Sequence, residues 1–146
     1  MTTPNLATEG WRLRDSRQFP NTIGTLWERD IDGLPSLGMI CEPGHDNGNG
    51  AMHGGIVATL CDIGLGCVVG QFRNPDPHAP RVQSATIQLN ISFAGAIFQG
   101  QLVESRGRIG RATRSLTFAS GELVVGEEVV ATMQGVFKVV PIRAPA

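Results

Sequence analysis

A chain of 146 residues, 41% hydrophobic and 17% charged, is long enough for one sizeable core and too short for two. A net charge of -1 removes the basic excess expected of a nucleic-acid binder. Cys41, Cys61 and Cys67 are scattered without a CxxC spacing, which excludes a disulfide framework and a structural zinc site and suits a reducing compartment.

Residues 1–20 read as an extension, with a short helix expected over 9–17 and Trp11 and Leu13 as its anchors. That segment has arginines but no apolar run of the kind that makes a secretion signal, so a soluble cytoplasmic protein is expected. Residues 22–30 have β-like content and lead into Asp32-Gly33, a hairpin signal, with the returning strand over 37–41. Residues 42–50 (Glu-Pro-Gly-His-Asp-Asn-Gly-Asn-Gly) form a loop, in which His45 is expected to be solvated.

The one long helix is expected from Gly54 to about Gly70, with an apolar stripe through Ile56, Leu60, Ile63 and Cys67. Val57, Ala58, Leu65, Val68 and Val69 fill its other faces. A helix apolar nearly all round belongs inside a larger structure, with glycines such as Gly64 and Gly66 permitting close packing. The stretch 51–72 has five glycines and Asp62, which makes it a poor membrane span.

Residues 72–80 break structure with three prolines, and from Val82 onward the pattern becomes β. Over 84–94, Ile87, Leu89, Ile91 and Phe93 alternate with Thr86, Gln88, Asn90 and Ser92, which predicts two distinct faces. Strands are expected over 101–109, 111–120 and 128–140, with a turn at Ser120-Gly121 and a loose tail over 141–146. The expected fold is a single α+β domain over 21–140, an antiparallel sheet curled around one central helix.

Asp62 is the one formally charged residue between Ala51 and Phe72. A buried carboxylate is costly unless it is paired, hydrogen-bonded or used, and perturbed acids gather in active sites. The structural alternative is a partner such as a backbone amide, a threonine or an arginine from a strand. At the helix start, Met52-His53-Gly54-Gly55 offers backbone N–H groups without intrahelical acceptors. With no side chain at Gly54, and with Gly55 beside it, an oxygen can approach those donors as an oxyanion hole requires. The same glycines equally permit close helix–sheet packing. Gly54 and Asp62 are eight positions apart, about 12 Å along a helix axis, so one chain does not easily bring both to one carbonyl. Two antiparallel copies of the helix across a two-fold axis would, which makes a homodimer with an interface site the natural arrangement.

Arg106, Arg108, Arg111 and Arg114 form the one basic cluster, able to bind phosphates or simply to face water from two paired strands. Cys61 adjoins Asp62, but nothing places His53 beside its sulfur, so it reads as a small buried hydrophobe. His45, Asp46 and Asp76 do not make a metal-ligand spacing, and no metal site is expected. No acidic residue follows Gly48-x-Gly50 in a βαβ context, so a dinucleotide fold is rejected.

The run Asn47-x2-Gly50-x2-His53-Gly54-Gly55-x4-Leu60-x-Asp62 resembles the signature of the phenylacetate-degradation (PaaI-like) hotdog-fold acyl-CoA thioesterases, including their mammalian member. The later run Thr86-Ile87-Gln88-Leu89-Asn90-Ile91-Ser92-Phe93 is similar to the family's following strand, and Gly107-Arg108 and Gly135-Val136-Phe137 match more loosely. The resemblance spans roughly 21–140 and implies a hotdog fold that hydrolyses an acyl-CoA thioester to an acid and CoA. It implies Asp62 as general base or nucleophile and the Gly54 N–H as oxyanion donor. Asn47 would orient water or carbonyl, with Asn49 as a rival, His53 would hold the loop, and Thr86, where the mammalian relative has serine, would position water. The arginine cluster would then meet CoA phosphates. No cofactor is implied, CoA entering only with the substrate, and the assembly would be a homodimer, often paired into a homotetramer. The rival readings are a non-catalytic acyl-CoA-binding or sensing hotdog protein and a hotdog hydratase, whose different Asp-and-His arrangement is not found.

Overall fold

In the computed structural model, which describes residues 5–15 and 18–144, seven strands make one antiparallel sheet. They are β1 (Arg12–Leu13), β2 (Trp27–Ile31), β3 (Leu34–Ile40), β4 (Gln83–Phe93), β5 (Leu102–Ala112), β6 (Leu116–Val125) and β7 (Glu128–Val140), in the order β1-β2-β3-β5-β6-β7-β4. The helix α1 (Gly54–Arg73) lies against one face and touches β3, β4, β5, β6 and β7. This is the sheet around a helix that the sequence predicts.

The helix is fixed by packing and by its end. Val57, Leu60, Cys61, Leu65, Val68 and Val69 are buried on its sheet side. Gly64 is glycine for a reason of space, since a Cβ there would lie 2.7 Å from Ser105 Cβ. At the C-terminus Arg73 donates to Thr117 Oγ1 (2.9 Å) and to the carbonyl oxygens of Thr113 and Leu116 (2.8 Å each), which ties α1 to the β5–β6 turn. By length and mean hydropathy (1.6) the helix is able to cross a membrane, but its deep face is spent on the sheet.

Several expectations are corrected. Ser120-Gly121 is not a turn but the middle of β6, because Gly121 is where the β5 backbone at Arg106 and Gly107 comes too close for any side chain. The turns lie on either side, at 113–115 and at Gly126-Glu127. The short helix over 9–17 is a 3-10 turn at Leu6–Glu9 followed by β1, while residues 16 and 17 lie outside the described part. Trp11 is an anchor (4% exposed), packed against Gly38 of β3, but Leu13 is 63% exposed. The described part of the N-terminal extension thus belongs to the sheet. Asp32-Gly33, both at positive φ, makes the predicted hairpin turn.

The largest correction concerns β4. Its pairing with β7 shifts between Thr86 and Gln88, leaving Ile87 as the extra residue of a β-bulge. Beyond it Leu89 and Ile91 pack on the core as predicted, yet Ile87 is 56% exposed. An inserted residue reverses the alternation, so Thr86 shares the helix-facing side with Leu89 rather than the outer side with Gln88.

Candidate active site

The loop before α1 is built on His45, which is buried and not solvated as expected. Its Nδ1 accepts from the Glu42 N–H (2.9 Å), its Nε2 meets the Ile23 carbonyl, and its carbonyl accepts from the His53 N–H (2.7 Å). The reciprocal Glu42–His45 pairing is a capping box, a signal present in the sequence but weak with histidine in the last place. Asn47 Oδ1 accepts from the Asn49 N–H (2.8 Å) and the Ala51 N–H (3.4 Å), which leaves its amide nitrogen as the free donor. Asn49 contributes its backbone to that turn.

At the helix start His53 is the N-cap, and its Nδ1 accepts from the Gly55 N–H at 2.8 Å. The ring therefore carries its proton on Nε2 in this arrangement. Gly55 is thereby spent on the cap, whereas the Gly54 N–H meets no acceptor among the described residues. Of the two glycines, Gly54 is the one left to a ligand. A Cβ there would sit 3.5 Å from Phe93 Cε1, an ordinary contact, so packing alone does not require glycine.

Asp62 is half-buried on the side of α1 turned away from the deep core, and Thr86 Oγ1 donates to its Oδ1 at 2.7 Å. The expected partner for this carboxylate is thus a strand threonine, delivered by the bulge. Both residues line a cavity of about 730 Å³ that continues along α1 past Ile63, Gly66 and Gly70. Gly66, predicted to serve close packing, instead opens this space, its nearest neighbour for a Cβ being Phe137 at 4.0 Å. The predicted apolar stripe divides accordingly: Leu60 is buried, but Ile56, Ile63 and Cys67 are half-buried on the open side with Asp62.

The arginine cluster is not brought to Asp62 within one chain. Ser105 and Gly107 turn towards α1, so the alternating Arg106 and Arg108 lie on the opposite face of β5. The β5 shift between Ile109 and Arg111 keeps Arg111 there beside Phe118. Arg106 is committed to Glu104 (2.9 Å) and Glu127 (3.5 Å). The arginines that do line the Asp62 cavity are Arg12, Arg14 and Arg81, which sequence reasoning missed. No local pattern marks them, because only the pairing of β1 with β2 carries Arg12 and Arg14 to the helix.

Cys61 is fully buried, and burial first, then the neighbouring Asp62 charge, pushes its thiol up to about 12. It is no nucleophile at neutral pH. No His/Cys/Asp/Glu group able to hold a metal occurs among the described residues.

One long helix inside an antiparallel sheet that wraps it is the hotdog-fold architecture. The thioesterase superfamily model matches residues 49–132, and the chain belongs to that superfamily, whose defining chemistry is thioester hydrolysis. It is 37% identical over 93 residues to the Pseudomonas aeruginosa protein named "Putative esterase PA0474", a match spanning 64% of this chain and 66% of the relative. Among solved structures, zebra fish thioesterase superfamily member 2 superposes with a TM-score of 0.72 at 19% identity, over 86% of this chain and 89% of that one. The Escherichia coli PaaI protein of the phenylacetic acid degradation operon gives 0.67 at 14%, over 92% and 83%. BH2602 of Bacillus halodurans, solved with CoA, gives 0.65 at 25%, over 76% and 70%.

Proposed function

We propose that this protein hydrolyses acyl-CoA thioesters, with Asp62 as general base. The observation that carries the reading is the carboxylate of Asp62, held by Thr86 and open to a cavity large enough for an acyl chain. The CoA bound to the Bacillus halodurans relative supports CoA as the thiol half.

In this reading Asp62 takes a proton from a water whose oxygen bonds to the thioester carbon. The carbonyl oxygen becomes an oxyanion and is received by the Gly54 N–H at a helix N-terminus. The tetrahedral centre collapses, the C–S bond breaks, and the CoA thiolate leaves with the proton returned from Asp62. Thr86 holds the carboxylate in place, the free amide of Asn47 orients the water or the carbonyl, and His53 keeps the N-terminal turn in shape. No step calls for a metal or a cofactor.

Gly54 and Asp62 of one helix stand about 12 Å apart, so each site draws them from two chains. The support for a two-fold dimer is the edge of the sheet. β4 is eleven residues long, pairs with β7 on one side only, and exposes Ile87 (56%) and Phe93 (60%). A long unpaired edge of this kind is a template for a second copy, and the half-buried Ile56 and Ile63 add apolar surface on the open side of the helix. A soluble, cytoplasmic dimer, further paired or not, is the assembly we infer. Arg108 and Arg111 reach a CoA phosphate in this scheme only from a neighbouring chain.

A thiol-release assay over short, long and aromatic acyl-CoAs, with Asp62→Asn alongside, tests the reading. Turnover abolished in Asp62→Asn is expected. Full activity in that variant overturns the mechanism, and no turnover by the native protein favours a non-catalytic acyl-CoA binder.

A further inference from the structure

We propose that Arg81 makes the part of the Asp62 cavity beside the C-terminus of α1 an anion subsite. It receives an oxyanion group of the thioester substrate, either a carboxylate at the end of the acyl chain or a CoA phosphate. This rests on the thioesterase reading and adds a substrate class to the same site.

The cavity runs from Asp62 and Thr86 along α1, past Gly70, to Asn74 and Arg81. Three arginines (Arg12, Arg14, Arg81) and three carboxylates (Glu28, Asp30, Asp62) line it. Four of these six charges are paired with one another. Arg12 Nε lies 3.2 Å from Glu28 Oε1, Arg12 Nη1 3.8 Å from Asp30 Oδ2, and Arg14 Nη1 3.3 Å from Glu28 Oε2. Among the described residues neither Asp62 nor Arg81 has an ion-pair partner. The cavity thus has one uncompensated negative charge and one uncompensated positive charge. Arg81 is also held in place. The side chain of Asn74, the C-cap of α1, donates to the Val82 carbonyl (3.0 Å) and accepts from the Val82 N–H (2.7 Å). This pair of bonds ties the backbone next to Arg81 to the end of the helix, about 18 Å along its axis from Asp62.

Between the two charges, Ile63, Val82 and Phe137 offer apolar sides to a run of methylenes. There is room beside the helix, since a Cβ at Gly70 would meet nothing within 4 Å. Ser84 lines the cavity as well, on the same side of β4 as Thr86, and its Oγ is buried without a partner. A wall with an unpaired hydroxyl and an unpaired guanidinium suits a chain that carries oxygen better than a pure hydrocarbon. A carboxylate at the end of a long acyl chain accepts charge-assisted hydrogen bonds from Arg81. A methyl-ended chain of equal length strips water from the guanidinium and replaces none of those bonds. A carboxylate close to the thioester, as in malonyl-CoA, meets the Asp62 charge instead, which is unfavourable. A CoA phosphate offers Arg81 the same oxyanion, from the thiol half of the substrate.

The test compares kcat/KM for malonyl-, adipyl-, sebacyl- and dodecanedioyl-CoA with hexanoyl-, decanoyl- and dodecanoyl-CoA. Decanoyl-N-acetylcysteamine serves as a thioester without phosphates, and the proteins are native, Arg81→Gln and Arg81→Lys. The native protein is expected to favour the longer carboxyl-ended chains over their methyl-ended counterparts. Arg81→Gln is expected to lower kcat/KM for sebacyl-CoA about tenfold, mainly through KM, and to leave decanoyl-CoA unchanged. Tenfold is the low end for a hydrogen bond between charged groups, because Arg81 keeps its access to solvent. Arg81→Lys is expected to retain part of the preference. A loss shared by every CoA thioester but absent with the N-acetylcysteamine thioester upholds the subsite and assigns the anion to a CoA phosphate. A loss that also reaches the N-acetylcysteamine thioester marks a structural role and overturns the proposal, as does unchanged kcat/KM throughout; both leave thioester hydrolysis intact. A native protein that hydrolyses no thioester removes both readings.

Discussion

Thr86 Oγ1 donates to Asp62 Oδ1 at 2.7 Å, joining the first half of β4 to the middle of α1. This bond occupies one lone pair of one carboxylate oxygen and leaves Oδ2 available to a water. Asp62→Asn is expected to lower kcat by about 10²–10⁴-fold, the usual share of a general base. Thr86→Val is expected to cost roughly 10–100-fold, in line with about 1.5–3 kcal/mol for a hydrogen bond to a charged group, and Thr86→Ser to restore most of it. Steady-state rates on a good acyl-CoA substrate decide this; equal activity in Thr86→Val and native protein removes the positioning role.

The bulge at Ile87 makes that bond possible. Deleting Ile87 restores simple alternation and moves Thr86 to the outer face with Gln88, or slides the strand against β7. Either way the Asp62–Thr86 contact is lost. Activity is expected to fall at least as far as in Thr86→Val, with the melting temperature lowered too. A deletion variant that keeps native turnover shows that Thr86 need not face the helix.

Two glycines of α1 are expected to respond in opposite ways. Gly54→Ala meets only an ordinary contact with Phe93 at 3.5 Å, and alanine is the better helix former by about 1 kcal/mol, so stability is expected to hold or rise. Activity is expected to fall, because the new methyl crowds the approach to the free N–H. Gly64→Ala drives a Cβ to 2.7 Å from Ser105 and is expected to destabilise by about 1–3 kcal/mol, as overpacking does. Urea unfolding read beside turnover separates the two; a Gly54→Ala protein with native kcat/KM argues against the oxyanion role.

Loss of the His53 cap is a matter of stability first. His53→Ala frees the Gly55 N–H that Nδ1 now satisfies and is expected to cost about 1 kcal/mol, with His53→Asn recovering part of it. Thermal melts of both variants provide the check, and identical melting temperatures contradict the capping assignment.

Cys61 predicts a pH dependence with a definite sign. Burial and the Asp62 charge raise its thiol from 9.0 to about 12. Below pH 9.0 the folded and unfolded chains both hold the proton; between 9.0 and about 12 only the folded one does. The unfolded state gains by ionising, so stability falls as pH rises through this window. Cys61→Ala, whatever it costs at neutral pH, is expected to show a shallower alkaline decline. Urea midpoints across the window measure it, and parallel declines for variant and native protein refute it.

Much of this was legible in the sequence. The glycine loop, the start of α1 at Gly54 and the single carboxylate in an uncharged helix are local facts, set by the backbone freedom of glycine and by the cost of a lone buried charge. The bounds of β7 and the Asp32-Gly33 hairpin follow likewise from side-chain period and turn chemistry. What remained hidden depended on neighbours. Nothing in Thr86-Ile87-Gln88 marks a bulge, since the extra residue exists only relative to β7. Gly121 looks like a turn until Arg106 of β5 is laid against it, and Arg14, fifty-three positions before Cys67, reaches that thiol because β1 pairs with β2. Periodicity and composition fix which residues form the helix, the strands and the candidate base. Strand register and close backbone approach, which are relations between distant segments, decide which side chains meet it.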